Sequence, residues 1–203
     1  MILTIAHTKG GVGKSTLAWN LAASLLEDKR KVTIVDLDFQ QTLYFINSIN
    51  ENSILEVKQP QTGDELIEIF ENYKDDEYII VDVGGFDNDI NRIAISWADK
   101  VVVPISNSVT EVIGFKTFEA ILEEIDNPFI YVVLNNIHPL TKNFEEIAKA
   151  IGVKPNIQLL SSIIRNRKIY KEILCEGKSV FDTKDTDAQE EIKRLKDELI
   201  SNR

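Results

Sequence analysis

Thr8-Lys9-Gly10-Gly11-Val12-Gly13-Lys14-Ser15-Thr16 decides how the rest of this chain is read. An apolar run, Ile2-Leu3-Thr4-Ile5-Ala6, precedes it, and a helical run, Leu17-Ala18-Trp19-Asn20-Leu21-Ala22, follows it. Strand, glycine-rich turn and helix in that order are the setting of a phosphate-binding loop. Glycines let several backbone N–H groups converge on one anion, and the helix N-terminus adds its positive end. Gly10, Gly11, Val12, Gly13, Lys14, Ser15 and Thr16 are therefore the expected nucleotide contacts. Lys14 would reach the β- and γ-phosphates, and the Ser15 hydroxyl would ligate Mg²⁺. The strict spacing G-x-x-x-x-G-K-[ST] is not met, because Thr8 stands where its first glycine belongs. A second lysine, Lys9, sits just before the glycines instead.

Outward from this loop, β-rich apolar runs alternate with helical patterns. Expected strands are 2–6, 31–36, 78–83, 100–105, 129–134 and 156–159, with helices at 15–28, 63–73, 88–97, 110–125, 143–151 and 186–201. Runs such as Ile79-Ile80-Val81 and Val101-Val102-Val103 suit strands buried on both faces. The expectation is a doubly wound, mostly parallel α/β sheet of the P-loop NTPase type. Its ligand would sit at the carboxyl ends of the strands, where the loops at 7–14, 37–42, 83–88 and 104–109 fall. The stretch 47–62 gives no clear pattern.

The 203 residues suit one domain, 1–203, and with a strand expected from Ile2 neither a leader nor an N-terminal accessory domain is expected. One cysteine, Cys175, excludes an internal disulfide and a cysteine-built cluster within one chain, as a reducing cytoplasm would favour. No apolar stretch approaches a membrane span. The net charge of −10 argues against a dedicated nucleic-acid binder.

Carboxylates end two of the strands. Val35-Asp36-Leu37-Asp38-Phe39-Gln40 carries two acids that point the same way if the strand continues through them. Tyr78-Ile79-Ile80-Val81-Asp82-Val83-Gly84-Gly85 reads as a Walker B strand, with Asp82 placed to hold a magnesium-bound water. In its Asp-x-x-Gly pattern, the Gly85 N–H would donate to a γ-phosphate. The guanine-reading pattern Asn-Lys-x-Asp is absent, which favours ATP. Arg165, Arg167, Lys168 and Lys171 form a local basic cluster that could hold duplex DNA without sequence preference. Pairing of the arginines with Glu172 or Glu176 would weaken it.

With its second lysine, the loop resembles the deviant Walker A motif of ParA/MinD ATPases. The Ile163–Phe181 stretch is similar to the small ParF-like branch of plasmid partition ATPases, which lack an N-terminal helix-turn-helix. The resemblance implies a homodimer closed over two ATP molecules, with Lys9 reaching the partner's phosphates. It implies that Asp38 positions the attacking water, that Asp36 supports the Mg²⁺ shell from behind, and that Asn135 contacts adenine. Phe39, where the family commonly has proline, and Gly84-Gly85, where many relatives have a proline pair, are departures. The function implied is DNA segregation: the ATP dimer binds nonspecific DNA on the nucleoid, and a small centromere-binding partner triggers hydrolysis. A MinD-like positioning ATPase is the alternative, but the acidic last helix, with Glu190, Glu191, Asp197 and Glu198, would repel anionic lipid, so no membrane partner is expected.

Overall fold

The computed structural model describes residues 1–50, 53–85, 87–125, 128–152 and 154–201. Among the described residues, seven parallel strands form one sheet in the order β3-β2-β4-β1-β5-β6-β7. In chain order the strands are β1 (Ile2–Ile5), β2 (Lys31–Leu37), β3 (Glu56–Lys58), β4 (Glu77–Val83), β5 (Lys100–Ile105), β6 (Ile130–Ile137) and β7 (Ile157–Arg165). The helices between them are α1 (Lys14–Glu27), α2 (Thr42–Ile49), α3 (Gly63–Glu71), α4 (Asp89–Ser96), α5 (Val109–Glu124) and α6 (Glu145–Ile151). After β7 come α7 (Ile169–Glu172), two short 3₁₀ turns and α8 (Thr186–Ser201).

Helices cover both faces of the sheet, so its strands are apolar on both sides. Along β4, Tyr78 and Ile80 face one core with Leu17, Leu21 and Leu25 of α1 and Ile192, Leu195 and Leu199 of α8. Ile79, Val81 and Val83 face the other core, with Phe70 of α3, Ala94 of α4, Phe115 and Phe118 of α5 and Ile147 of α6. Each large side chain buried this way contributes about 1.5–3 kcal/mol. The C-terminal segment is tied to α1 by polar contacts as well. The Trp19 indole donates to the Lys178 carbonyl at 3.1 Å, and buried Asn20 accepts the Val180 N–H at 2.9 Å.

The expected doubly wound parallel sheet is the observed one. Helix α2, which no expected element covers, ends inside the stretch that showed no pattern, β3 lies within it, and positions 51 and 52 of that stretch fall outside the described residues. The same holds for position 86 in the 83–88 loop and for 202–203 at the end of the expected single domain. Strand β7 runs to Arg165, well past the expected end at Leu159, because α8 and the last two turns cover a strand that polar Ser161 and Ser162 disguise. Because every strand is parallel, the turns after β1, β2, β4 and β5 gather at one edge.

Candidate functional site

Between β1 and α1 the backbone curls through Gly11 (φ +76°) and Gly13 (φ +92°), conformations that strain any residue with a Cβ. Gly13 is the N-cap of α1, with no side-chain cap and no acidic residue in the first turn. The helix's free N–H groups are therefore left for an anion, and no carboxylate repels it. Lys14, the first residue of α1, is buried, and its Nζ lies 3.5 Å from the Lys9 carbonyl. On the far side of the loop, the Asn135 amide donates to the Val12 carbonyl at 2.6 Å. An ideal Cβ on Gly13 would lie 2.5 Å from that same amide nitrogen, so only glycine fits.

Three carboxylates converge beneath the loop. Asp36 on β2 and Asp82 on β4 are register partners on adjacent strands. Both Asp82 oxygens are buried and neither meets a hydrogen-bond partner among the described residues. Desolvation lifts the Asp82 pKa to about 7; the nearby Ser15 hydroxyl opposes the shift, and Asp36 adds to it. Ser15 is thus close enough to favour the charged form but too loosely placed to satisfy either oxygen. An orphaned buried anion beside a hydroxyl fits a hard cation that takes oxygen ligands. Among the described residues no group of three or more His, Cys, Asp or Glu could hold a metal by itself. Mg²⁺ would accordingly depend on Ser15, Asp82 and the phosphates of a nucleotide.

Asp36 is occupied differently. Its Oδ1 accepts the Asp38 N–H at 3.1 Å, and its Oδ2 accepts the N–H groups of Leu43 (2.9 Å) and Tyr44 (3.1 Å). It therefore holds the first turn of α2, and burial raises its pKa. Strand β2 stops at Leu37, so the alternation that would align Asp36 with Asp38 does not extend to the second acid. Asp38 sits in the following turn instead and accepts the Gln40 N–H at 2.9 Å.

Gly85 approaches the loop so closely that a Cβ there would lie 3.2 Å from the Thr8 carbonyl. Together, Thr8, Gly10–Leu17, Asp38, Gly85 and Asn135 line a cavity of about 860 Å³. Its wall also includes Arg165, Arg167, Tyr170 and Lys171. Lys9 does not line it. That side chain turns outward, where its Nζ donates to the Thr110 hydroxyl at 2.8 Å and lies 3.8 Å from a Glu111 oxygen. His7 is buried below, its Nδ1 accepting the Lys9 N–H at 2.9 Å and its ring stacked on Phe118. Burial lowers its pKa to about 4, so the ring is neutral at physiological pH.

Two of the four residues of the basic cluster, Arg167 and Lys168, are paired with acids of the same chain. Arg167 binds Glu191 at 2.8 Å and Asp187 at 3.3 Å, with Asp185 at 3.9 Å. Neither acid expected to pair with the arginines does so: Glu172 pairs with Lys168 and Glu176 with Lys178. Arg165 donates to the Thr141 and His138 carbonyls and so ties β7 to the turn after β6. Thr110 and Glu111 have no signal of their own in the sequence, and Glu191 is read there only as part of the acidic last helix, not as the partner of Arg167. Their partners are distant in the chain, although Thr110 and Glu111 directly follow a turn expected at the ligand edge.

The family description "CobQ/CobB/MinD/ParA nucleotide binding domain" matches residues 3–180. Protein ParA of Rhizobium radiobacter is 25% identical over 191 residues, covering 90% of this chain and 86% of its own. The maintenance of carboxysome distribution protein A of Halothiobacillus neapolitanus is 24% identical, covering 98% and 95%. Among solved structures, MinD in the MinC:MinD cell division complex of Aquifex aeolicus superposes with a TM-score of 0.81 at 19% identity, covering 98% and 96%. A plasmid partition protein of Borrelia burgdorferi, bound to AMPPNP, superposes with a TM-score of 0.74 at 20% identity, covering 100% and 99%.

Proposed function

The chain belongs to the CobQ/CobB/MinD/ParA nucleotide-binding domain family, and from that premise we propose that it is a Mg²⁺-dependent ATPase whose ATP-bound dimer drives DNA segregation. The observation that carries the nucleotide reading is one cavity joining the uncapped N-terminus of α1, Lys14 and the loop glycines, above the orphaned Asp82. Gly10–Thr16 and Lys14 hold the phosphates, and the Gly85 N–H donates to the terminal one. Ser15 and Asp82 hold Mg²⁺, and Asp36 acts behind them by fixing the turn that carries Asp38. When bound, the ion neutralises charge on the phosphate oxygens. Asp38 orients the attacking water. Asn135 keeps its amide on Val12, and its Oδ1 accepts from the adenine amine.

Lys9 points out of its own cavity, which suits a cation supplied to a second subunit. Closure of two chains over two nucleotides then couples dimerisation to hydrolysis. DNA contact falls to Lys168 and Lys171, joined by Arg165 and Arg167, and doubled in the dimer. A centromere-bound partner protein triggers release. The pairing of Arg167 and Lys168 with acids and the net charge of −10 favour a second reading, a positioning ATPase acting on a protein surface.

Binding of random duplex DNA with ATP, ADP or no nucleotide, across a salt series, separates the two. Binding that needs ATP, weakens steeply with salt and is lost in Lys9→Ala supports segregation. ATP-dependent dimerisation without DNA binding selects the second reading.

A further inference from the structure

Lys9 is tethered in this chain, and what tethers it has no place in the nucleotide cavity. Thr110 and Glu111 open α5, the first helix after β5. The Thr110 hydroxyl accepts from Lys9 Nζ at 2.8 Å, and Ser108 Oγ lies 2.8 Å from the same hydroxyl. Glu111 puts one carboxylate oxygen 3.8 Å from Lys9 Nζ, while its other accepts the Ser106 N–H. The Glu111 side chain is 14% exposed and that of Lys9 37%, so the pair is half sheltered from water. The backbone beneath is equally close. A Cβ on Gly114 would lie 3.1 Å from the His7 ring and 3.8 Å from Lys9 Cβ, and His7 itself holds the Lys9 N–H. The stem of Lys9 is thus laid along the first turns of α5, with its charge seated on their polar end.

We infer that Thr110 and Glu111 are positioning residues for Lys9: they hold it on its own subunit until a second, nucleotide-loaded subunit offers the stronger anion. This rests on the reading of Lys9 as the cation supplied in trans. A nucleotide triphosphate outcompetes one hydroxyl and one carboxylate at 3.8 Å, so the seat delays closure without forbidding it. Each dimer must empty two such seats, and the seat therefore sets the protein concentration at which ATP closes the dimer.

The test is sedimentation of the full chain with Mg²⁺ and AMPPNP over a protein concentration series. The variants are Thr110→Val, Glu111→Gln, Thr110→Ser, Lys9→Ala, and Lys9→Ala combined with Glu111→Gln. Thr110→Val and Glu111→Gln should each lower the dimer dissociation constant roughly fivefold, since two weak exposed contacts are released per dimer. Thr110→Ser, which keeps the hydroxyl, should match the parent, and both variants carrying Lys9→Ala should stay monomeric. A general loss of packing would weaken dimerisation, so a gain marks positioning. If the parent dimerises in a Lys9-dependent way but the Thr110 and Glu111 variants do not tighten it, the seat is refuted and the ATP-dimer reading stands. If the parent and Lys9→Ala behave alike, both fall.

Discussion

The Asn135 side-chain amide reaches from β6 to donate to the Val12 carbonyl at 2.6 Å, bracing the phosphate loop from the neighbouring side of the sheet. Asn136 next to it has a left-handed backbone (φ +58°), and the β6–β7 register shifts between Leu134 and Ile137. A local irregularity of this kind re-aims a side chain. Asn135→Ala should weaken ATP binding roughly tenfold without unfolding the chain, since one hydrogen bond holding the loop is lost. Gly13→Ala, which drives a Cβ into that amide, should abolish binding. Titration with a fluorescent ATP analogue reads both, and full affinity in Asn135→Ala would show that the brace is dispensable.

Asp82 and His7 titrate in opposite senses. Asp82 is raised from 3.8 to about 7, so the folded chain keeps a proton that the unfolded chain has lost, and stability falls as pH rises through that window. His7 is lowered from 6.5 to about 4, so the unfolded chain binds the extra proton, and stability rises as pH climbs from 4 to 6.5. The two slopes oppose each other in nucleotide-free protein. Urea unfolding in EDTA between pH 4 and 8 should therefore slope upward in Asp82→Asn and downward in His7→Asn. Parallel curves for the two variants would refute the assignment.

Removing the buried charge has a second consequence. Asp82→Asn should stabilise nucleotide-free protein at pH 8 by roughly 1–3 kcal/mol, because an uncompensated buried anion is gone. The same variant should lose Mg²⁺-dependent hydrolysis at least about a hundredfold. Thermal denaturation and phosphate release measure the two effects, and an Asp82→Asn chain that is both less stable and still active would contradict them.

Asp36 fastens α2 by accepting two of its N-terminal N–H groups. Asp36→Ala should cost about 1–2 kcal/mol, the range for losing a helix cap. It should also open the 38–50 segment to protease. Unchanged protection of that segment would mean that packing by Leu43 and Ile46, both buried, suffices.

Within the basic cluster the residues should separate. Arg167 is held by three acids of the α8 end, so Arg167→Ala should lower stability by about 1 kcal/mol. Lys171→Ala should leave stability within about 0.5 kcal/mol and reduce the salt slope of DNA binding by about two units per dimer, one for each subunit. Equal stability losses in both variants, with no change in DNA affinity, would remove the cluster from the DNA interface.

The sequence alone determined the parallel α/β sheet, the phosphate loop and the strand-end carboxylates, because these are local patterns. A buried strand is an apolar run, a loop that must curl around an anion needs glycine at fixed spacing, and a carboxylate at the ligand edge ends its strand. The 47–62 stretch stayed illegible because it holds only the last residues of the eight-residue α2 and the three-residue β3, too short for periodicity to speak. Tertiary structure decided the rest. Asp36 acts as a helix fastener, Asn135 as a loop brace, Arg167 as the centre of an acidic cage, and Lys9 rests on Thr110 and Glu111. Each of these depends on a partner brought near only when the sheet closes. Hydrogen bonds and ion pairs act over a few ångströms of space, whatever the distance along the chain.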